Sequence, residues 1–548
     1  MIENIILIAF SITTPMIILK NVIKNCKNRK NLKCILNENK YEIVTYVAMV
    51  IGFAIRLINL EKMPNGLIPD EASAGYEAFS ILNHGTDRWG KSIPVFLISW
   101  GSGQNALYTY LLIPFIKLLG LTKFATRLPM ALVSCASIIA MYFLLKNIFN
   151  KKIATIGAIF LAICPWHIMK ARYGLESNIF PNIVLFAVLF MGLGIKKEKI
   201  NIFYIGWALL GISAYSYGTS YFFITIFTII THIFLLIKRK IKFKEALIAT
   251  LIAFVIALPI VIMILINIFD LPEIKIFCFT IPRLFINRFE GNCSIFSSNF
   301  ITNSINNIKE SVKILMLQDG NFLWGLTYWY SMPLFFIGIY EAIVKNKKYS
   351  ITNGIMNIWF LASLLLLFLV TPGIIRINII MIPIIYYIIL GLNVIIELNK
   401  DKKWILIVFS IIIVASFICF VYSYFTTKYE GPEFVEEVQE VIKYVDSLEN
   451  KNIYLEYNFK EPYIYILFYT RKNPEEFYST VEFFDDIKTR EFENVKHFDN
   501  YYFYIPKEFE QNESNVYVVS YNTYEKLNID KENYKKTYFE RYIVLERK

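Results

Sequence analysis

Long apolar runs alternate with short polar, mostly basic segments over the first 425 residues. The runs are roughly 17–23 residues long, the length with which a helix crosses ~30 Å of hydrocarbon. They predict membrane spans near residues 3–19, 41–58, 128–146, 153–169, 179–195, 201–217, 219–237, 245–268, 331–344, 352–371, 376–397 and 404–425. The stretch 104–121 is also apolar but contains Pro114, and it reads as an interfacial or re-entrant helix, the alternative being a true span with one compensating miscount elsewhere. After residue 426 the pattern changes. In the run GPEFVEEVQEVIKYVDSLEN the apolar positions Phe434, Val435, Val438, Val441, Ile442 and Val445 form one helical face. KNIYLEYN, PYIYILFY, YYFYIP, NVYVVS and RYIVLER read as strands bounded by Asn, Pro and charged residues. The expected organisation is a polytopic α-helical body at 1–425, with about 11–13 spans, followed by an α/β accessory domain at 426–548. The body carries a first extramembrane loop at 59–127 and a second at 269–330.

Charge adds an orientation. The 548 residues carry a net +12, from 56 Lys+Arg and 44 Asp+Glu. From Lys428 onward there are 17 basic and 25 acidic residues, a net −8, which leaves 39 and 19, a net +20, for the body. The body's basic residues cluster between apolar runs: Lys20 to Lys40, Lys146 to Lys152, Lys196 to Lys199, Lys238 to Lys244, Lys345 to Lys348 and Lys400 to Lys403. Cytoplasmic loops hold the Lys/Arg excess. With 104–121 not crossing, all six clusters fall on that one side. The excess therefore reports orientation, and no nucleic-acid partner is expected. Only 18% of the residues are charged and 56% are hydrophobic, which excludes an ordinary soluble enzyme. Both loops and the C-terminal domain are expected outside the cytoplasm, in a multi-pass protein of the plasma membrane.

Candidate chemistry sits in the first loop. Pro64, Gly66 and Pro69 bring the chain out of the second span, Asp70 and Glu71 follow, and Ala74, Ala78 and Ile81 fall on one helical face. Asp70 is expected at or near the N-cap of that helix. One reading of the acidic pair is a cap and a dipole partner. Another is a general base acting on a hydroxyl at the headgroup level. A third is a pair of oxygen ligands for a divalent cation, Mg or Mn. The seven cysteines form no CxxC, and the four histidines show no ligand spacing. A disulfide between Cys278 and Cys293, in the second loop, is open.

The segment Pro64-x-Gly66-Leu67-x-Pro69-Asp70-Glu71-Ala72, with Gly75-Tyr76 and Gly85-x-Asp87-x-x-Gly90, resembles the first loop of the GT-C glycosyltransferases that use lipid-linked sugars. The likeness continues through Tyr110, Pro114, Gly120-Leu121-x-x-Phe124-Ala125-x-Arg127-Leu128-Pro129, Pro165-Trp166-His167 and Arg172-x-Gly174-Leu175-Glu176-Ser177-Asn178. In the C-terminal domain Glu461-Pro462-Tyr463-Ile464-Tyr465-x-Leu467-Phe468-Tyr469 also fits. The chain is similar to the protein O-mannosyltransferase and aminoarabinose transferase branch. The resemblance implies a polyprenyl-phosphate-linked sugar donor and an acceptor that is a protein, a glycolipid or a cell-wall polymer. It also implies a first-loop acidic residue, Asp70 with Glu71 beside it, as catalytic base.

A polyprenyl phosphate leaving group calls for cations near the bilayer surface, preferably forked ones. Arg172 and Arg376 rank first because each lies at the end of an apolar run, with His167 and Lys91 as further phosphate-binding candidates. Snorkelling to the headgroups is the alternative for both arginines. Two other classes compete: a transporter or lipid-linked sugar flippase, and a membrane scaffold that presents its C-terminal domain. A transporter places ionisable groups near the midplane and often repeats its halves, whereas most charges here sit at helix ends and no repeat is evident.

Overall fold

A computed structural model of the chain describes residues 2–27, 32–100, 103–284, 299–317, 325–344, 350–426, 438–456, 461–484, 495–506 and 512–548. The Lys345 to Lys348 cluster, Cys293, the chain from 427 to 431 at the expected domain boundary, and Phe434 and Val435 of the expected amphipathic face lie outside these. The chain forms two compact units. The first comprises Met1–Leu60, Met130–Leu258 and Phe289–Thr427. The second comprises Glu61–Pro129, Pro259–Arg288 and Lys428–Lys548. The C-terminal domain thus shares a unit with the first loop.

Among the described residues, seven helices are long and apolar enough to cross a bilayer: Lys123–Ile148, Glu176–Lys196, Ser220–Ile237, Phe243–Ile268, Ile351–Leu369, Asn378–Leu398 and Lys403–Thr426. Lys151–Ile163 and Pro165–Ala171 make an eighth if counted together, bent by 57° where Pro165 supplies no amide hydrogen. The helix Lys40–Leu57 has 18 residues. Leu107–Leu119 has 13, about 20 Å at 1.5 Å per residue against ~30 Å of hydrocarbon. Ile6–Leu19, Ile200–Tyr215 and Trp329–Val344, where spans are expected, are likewise shorter apolar helices, so fewer than the expected 11–13 qualify by length among the described residues. Lys403–Thr426 leaves Ile407, Ile411, Val414 and Ile418 exposed, as an apolar environment requires. The chain is a multi-pass membrane protein.

Helices of the first unit approach closely where side chains are small, the usual device where lipid removes the hydrophobic drive for association. A Cβ on Gly338 would overlap the carbonyl oxygen of Tyr387, and one on Gly391 would overlap that of Leu334. These two glycines lock Met332–Ile339 against Met381–Leu398. Thr45 and Thr155 share a hydrogen bond of 2.9 Å between Lys40–Leu57 and Lys151–Ile163.

In the second unit the C-terminal domain forms a seven-stranded mixed sheet in the spatial order 534–538, 542–547, 515–520, 452–455, 501–502, 495–498, 482–483. Asn452–Leu455 runs parallel to both of its neighbours, and the other pairings are antiparallel. The amphipathic helix is present as Val438–Asp446. The expected strand at 462–469 is instead the helix Pro462–Thr470. Its run of aromatic and β-branched residues has strand propensity, but Pro462 through Phe468 are all buried and Pro462 suits a first helical turn. A residue buried on all sides carries no periodicity that separates helix from strand.

Replacing Gly338 with Val should cost about 1–3 kcal/mol or more through overpacking. Gly218→Ala should be neutral, because nothing lies within 4 Å of its Cβ position. Thermal denaturation in detergent, followed by size-exclusion chromatography, distinguishes the two.

Candidate functional site

The first-loop helix spans Pro69–His84, with Pro69 at its first position and Gly85 (φ +74°) ending it in the left-handed region. Asp70 lies inside the first turn and is not the cap. The Glu71 carboxylate reaches back to the Ile68 amide at 3.4 Å. Asp70, Ser73, Glu77 and Ser80 share one stripe by helical spacing, while Gly75 on another lets the ring of Phe468 from the C-terminal domain approach closely.

The two adjacent acids have different surroundings. Glu71 is fully buried and paired with Arg127: Nε donates to Oε1 at 3.0 Å and Nη2 to Oε2 at 3.2 Å. Arg127 also donates to the carbonyls of Pro64 (2.8 Å) and Gly66. One guanidinium therefore ties the start of the loop to its end. Asp70 is half-buried, and its Oδ1 accepts the Trp100 indole N–H at 2.7 Å. Gln104 donates to the Asp70 carbonyl at 3.3 Å. Trp100 has φ +54°, a conformation few non-glycine residues adopt, and meets Tyr463 of the C-terminal domain edge to face at 6.2 Å.

A second buried pair supports that tryptophan. Arg88 and Glu77 approach to 3.2 Å with no exposure. Arg88 also donates to the hydroxyls of Ser73 (2.9 Å) and Ser99 (3.0 Å), and it lies 5.4–5.7 Å from the rings of Trp89, Trp100 and Tyr463. The C-terminal domain adds the Tyr465 hydroxyl, which donates to the Leu67 carbonyl at 3.0 Å. In turn the Tyr76 hydroxyl donates to the Lys472 carbonyl at 2.8 Å. Trp100 and Glu77 do not stand out in the sequence as site residues; Arg88 reads there as a further phosphate-binding candidate or a surface charge, and the tyrosines only as members of the quoted motifs. The available signal was the cost of burying a charge without a partner: the two arginines of residues 59–127, which also hold three glutamates, must pair if they are covered.

Lys91 bonds Glu273 at 2.5 Å, and that contact holds the Glu273 carboxyl below its usual range. Its ammonium is thus used within the unit. Asp87 Oδ1 accepts the amides of Trp89 (2.9 Å) and Lys91 (2.8 Å), yet burial outweighs them and pushes its carboxyl up to about 6.

The remaining candidates belong to the first unit. Arg172 is buried and caps the end of Lys40–Leu57, donating to the carbonyls of Ile55, Ile58 (2.9 Å) and Asn59 (3.1 Å) beneath the ring of Phe425 at 4.8 Å. His167 is buried beside Arg56, whose Nη2 lies 2.7 Å from His167 Nδ1. A guanidinium only donates, so Nδ1 accepts and Nε2 carries the proton toward Asn182 Oδ1 at 3.3 Å. Arg56 further binds the carbonyls of Gly52, Leu161 and Ala162 and the Ser134 hydroxyl. Arg172 and His167 therefore have internal partners. Arg376 differs: it is half-buried in the turn between Ile351–Leu369 and Asn378–Leu398 and donates to the Thr371 hydroxyl.

A divalent cation needs several oxygen ligands. Both Glu71 oxygens face Arg127, and among the described residues no three His, Cys, Asp or Glu side chains gather. Glu71 is therefore committed to Arg127, which leaves Asp70 as the member of the acidic pair that could serve a divalent cation.

The sequence profile of the dolichyl-phosphate-mannose-protein mannosyltransferase family matches residues 105–265. No curated protein sequence matches the chain. The structure is similar to that of ArnT from Cupriavidus metallidurans bound to undecaprenyl phosphate, with a TM-score of 0.55 and 14% identity over 92% of this chain and 97% of that one. It is also similar to the archaeal oligosaccharyltransferase AglB from Archaeoglobus fulgidus in complex with an inhibitory peptide and a dolichol-phosphate (TM-score 0.52, 12% identity, 80% of this chain). The Archaeoglobus fulgidus oligosaccharyltransferase complexed with Zn and sulfate gives a TM-score of 0.52 at 14% identity over 78% of this chain. This chain spans 61–64% of the length of the archaeal enzyme. The fold is thus that of the GT-C membrane proteins, with a C-terminal domain that contains a β-sheet.

Two outcomes follow. Glu71→Gln should lose about 3–5 kcal/mol, because it leaves the Arg127 charge buried and unpaired; thermal unfolding in detergent measures this. For Asp87, an unfolded carboxyl ionises near ~3.9. The folded protein therefore holds a proton that the unfolded chain has released between about 4 and 6, and stability falls as pH rises through that window. Asp87→Asn should flatten this decline relative to the parent protein in melting curves taken from pH 4 to pH 7.

Proposed function

We propose that this protein is an integral membrane glycosyltransferase that moves a hexosyl or pentosyl group from a polyprenyl-phosphate donor to an acceptor hydroxyl outside the cytoplasm. The observation that carries the reading is the contrast within the acidic pair. Glu71 is closed off by Arg127, whereas Asp70 is half-buried at a helix start with one oxygen oriented by Trp100. The mannosyltransferase profile over residues 105–265 and the GT-C fold support transfer over transport.

In the proposed reaction Asp70 accepts the proton of the acceptor hydroxyl as its oxygen bonds to the anomeric carbon. The bond from that carbon to the phosphate oxygen breaks, and its electron pair leaves with the polyprenyl phosphate. The Trp100 indole N–H holds the carboxylate in a fixed orientation at the start of the helix. Of the four cationic groups considered for the phosphate, Arg376 is assigned that contact, since a half-buried guanidinium in a turn between two spans retains forked donors. Arg172, His167 and Lys91 act through the backbone and side chains they hold. The dolichol-phosphate in the AglB complex and the undecaprenyl phosphate bound to ArnT support a lipid-phosphate donor here. The acceptor is a protein, glycolipid or cell-wall polymer, and the proposed location is the plasma membrane with the C-terminal domain outside.

Removing a general base typically lowers the rate about 10²–10⁴-fold. Mass spectrometry of envelope lipids and glycoproteins from a deletion strain should show loss of a glycosylated product. Wild-type protein should restore that product, and Asp70→Asn protein present in the membrane at the same level should not. An unchanged envelope in the deletion strain would refute the reading.

A further inference from the structure

Beyond the catalytic reading lies an apolar hairpin that the chemistry does not use. Ile274–Ile276 and Phe279–Ile281 pair antiparallel, joined by the two residues Phe277 and Cys278. Tight hairpins favour Asn or Gly at such a turn because the backbone enters the left-handed region. Here Phe277 occupies it, at φ +52°, with its side chain completely exposed (101%). Ile274, Ile276 and Phe279 are exposed as well. They continue a series that begins on the last turns of Phe243–Ile268, with Leu265 and Ile268, and passes through Phe269 (66% exposed) and Leu271. A contiguous apolar surface of this kind is rare against water.

The opposite edge of the hairpin is polar and anchored. The Thr280 carbonyl accepts the Val95 amide at 2.9 Å, Pro94 and Thr280 form a β-bridge, and Glu273 pairs with Lys91. Asn267 ties the exit of the hairpin back to the helix through the Leu284 amide at 2.7 Å. The hairpin is therefore fixed to the first loop on one side and bare on the other.

We propose that the hairpin tip, Ile274 to Phe279, inserts among the lipids of the leaflet that Phe243–Ile268 enters, anchoring the first loop at the headgroup level. Two observations single out lipid as the occupant. The bare surface is continuous with a helix apolar enough to span the bilayer. It is also flanked by Lys275 and Arg283, which pair with Glu273 and Asp270 yet stay 71% and 46% exposed, residue types that sit at a lipid interface. Interfacial insertion reaches about 5–10 Å below the headgroups, a depth within reach of a tip whose strands have three residues each. The inference stands independently of the catalytic assignment.

The test uses the wild-type chain in nanodiscs doped with a lipid that carries a diazirine high on its acyl chain. Illumination should place lipid adducts on the peptide containing 274–281 and on the 243–268 helix, and none on the C-terminal sheet. Adducts on the helix with none on the hairpin would overturn the proposal. A second readout labels Cys278 with an environment-sensitive fluorophore in a variant whose other cysteines are replaced. Quenching by lipid-borne nitroxide with protection from aqueous iodide is the expected result. Quenching by iodide alone, or protection from both quenchers as a protein partner would give, contradicts it.

Discussion

The Glu71–Arg127 ion pair is the constraint around which the second unit is organised. Both groups are wholly buried, and the pair persists because its geometry is bidentate and the remaining Arg127 donors meet the carbonyls of Pro64 and Gly66. That single contact closes the first loop, fixes the start of Pro69–His84 and removes one of two neighbouring carboxylates from solvent. What it leaves is Asp70, whose direction is set by Trp100. The tryptophan in turn is held by Arg88 and by Tyr463, a residue of the C-terminal domain.

The same rule governs the first unit, where apolar surroundings make an unpaired cation costly. Arg172 answers it with carbonyls at and just beyond the end of Lys40–Leu57, where the helix ladder stops. Arg56 answers it with His167, Ser134 and three carbonyls. These arginines hold helices together. Arg376, in a turn and bonded to a threonine hydroxyl, belongs to a different class.

Much of this architecture is legible in the sequence because it rests on local signals. Apolar length marks the seven or eight spans among the described residues, although the expected spans at 3–19, 201–217 and 331–344 are shorter apolar helices, and Pro69 and Gly85 mark the limits of the first-loop helix. The charge shift after Lys428 signals the α/β domain. Pairwise and non-local facts were not legible. Nothing local tells Pro462–Thr470 from a strand when every face is covered. Nothing local assigns Arg127 to Glu71 in preference to Asp70. The grouping of the C-terminal domain with the first loop depends on contacts such as Tyr465 to Leu67 and Phe468 to Gly75, across about four hundred residues. The arginine at position 172 looks the same in sequence whether it binds a phosphate or a helix end.

The central claim is that two adjacent carboxylates have separate roles, Asp70 in chemistry and Glu71 in architecture. The most direct measurement is sugar transfer per folded molecule for Asp70→Asn and Glu71→Gln side by side, with the folded fraction taken from size-exclusion chromatography. The account predicts that the Asp70 variant folds normally and does not transfer, while the Glu71 variant folds poorly but transfers in proportion to what folds. A fully folded, inactive Glu71 variant beside an active Asp70 variant would contradict it.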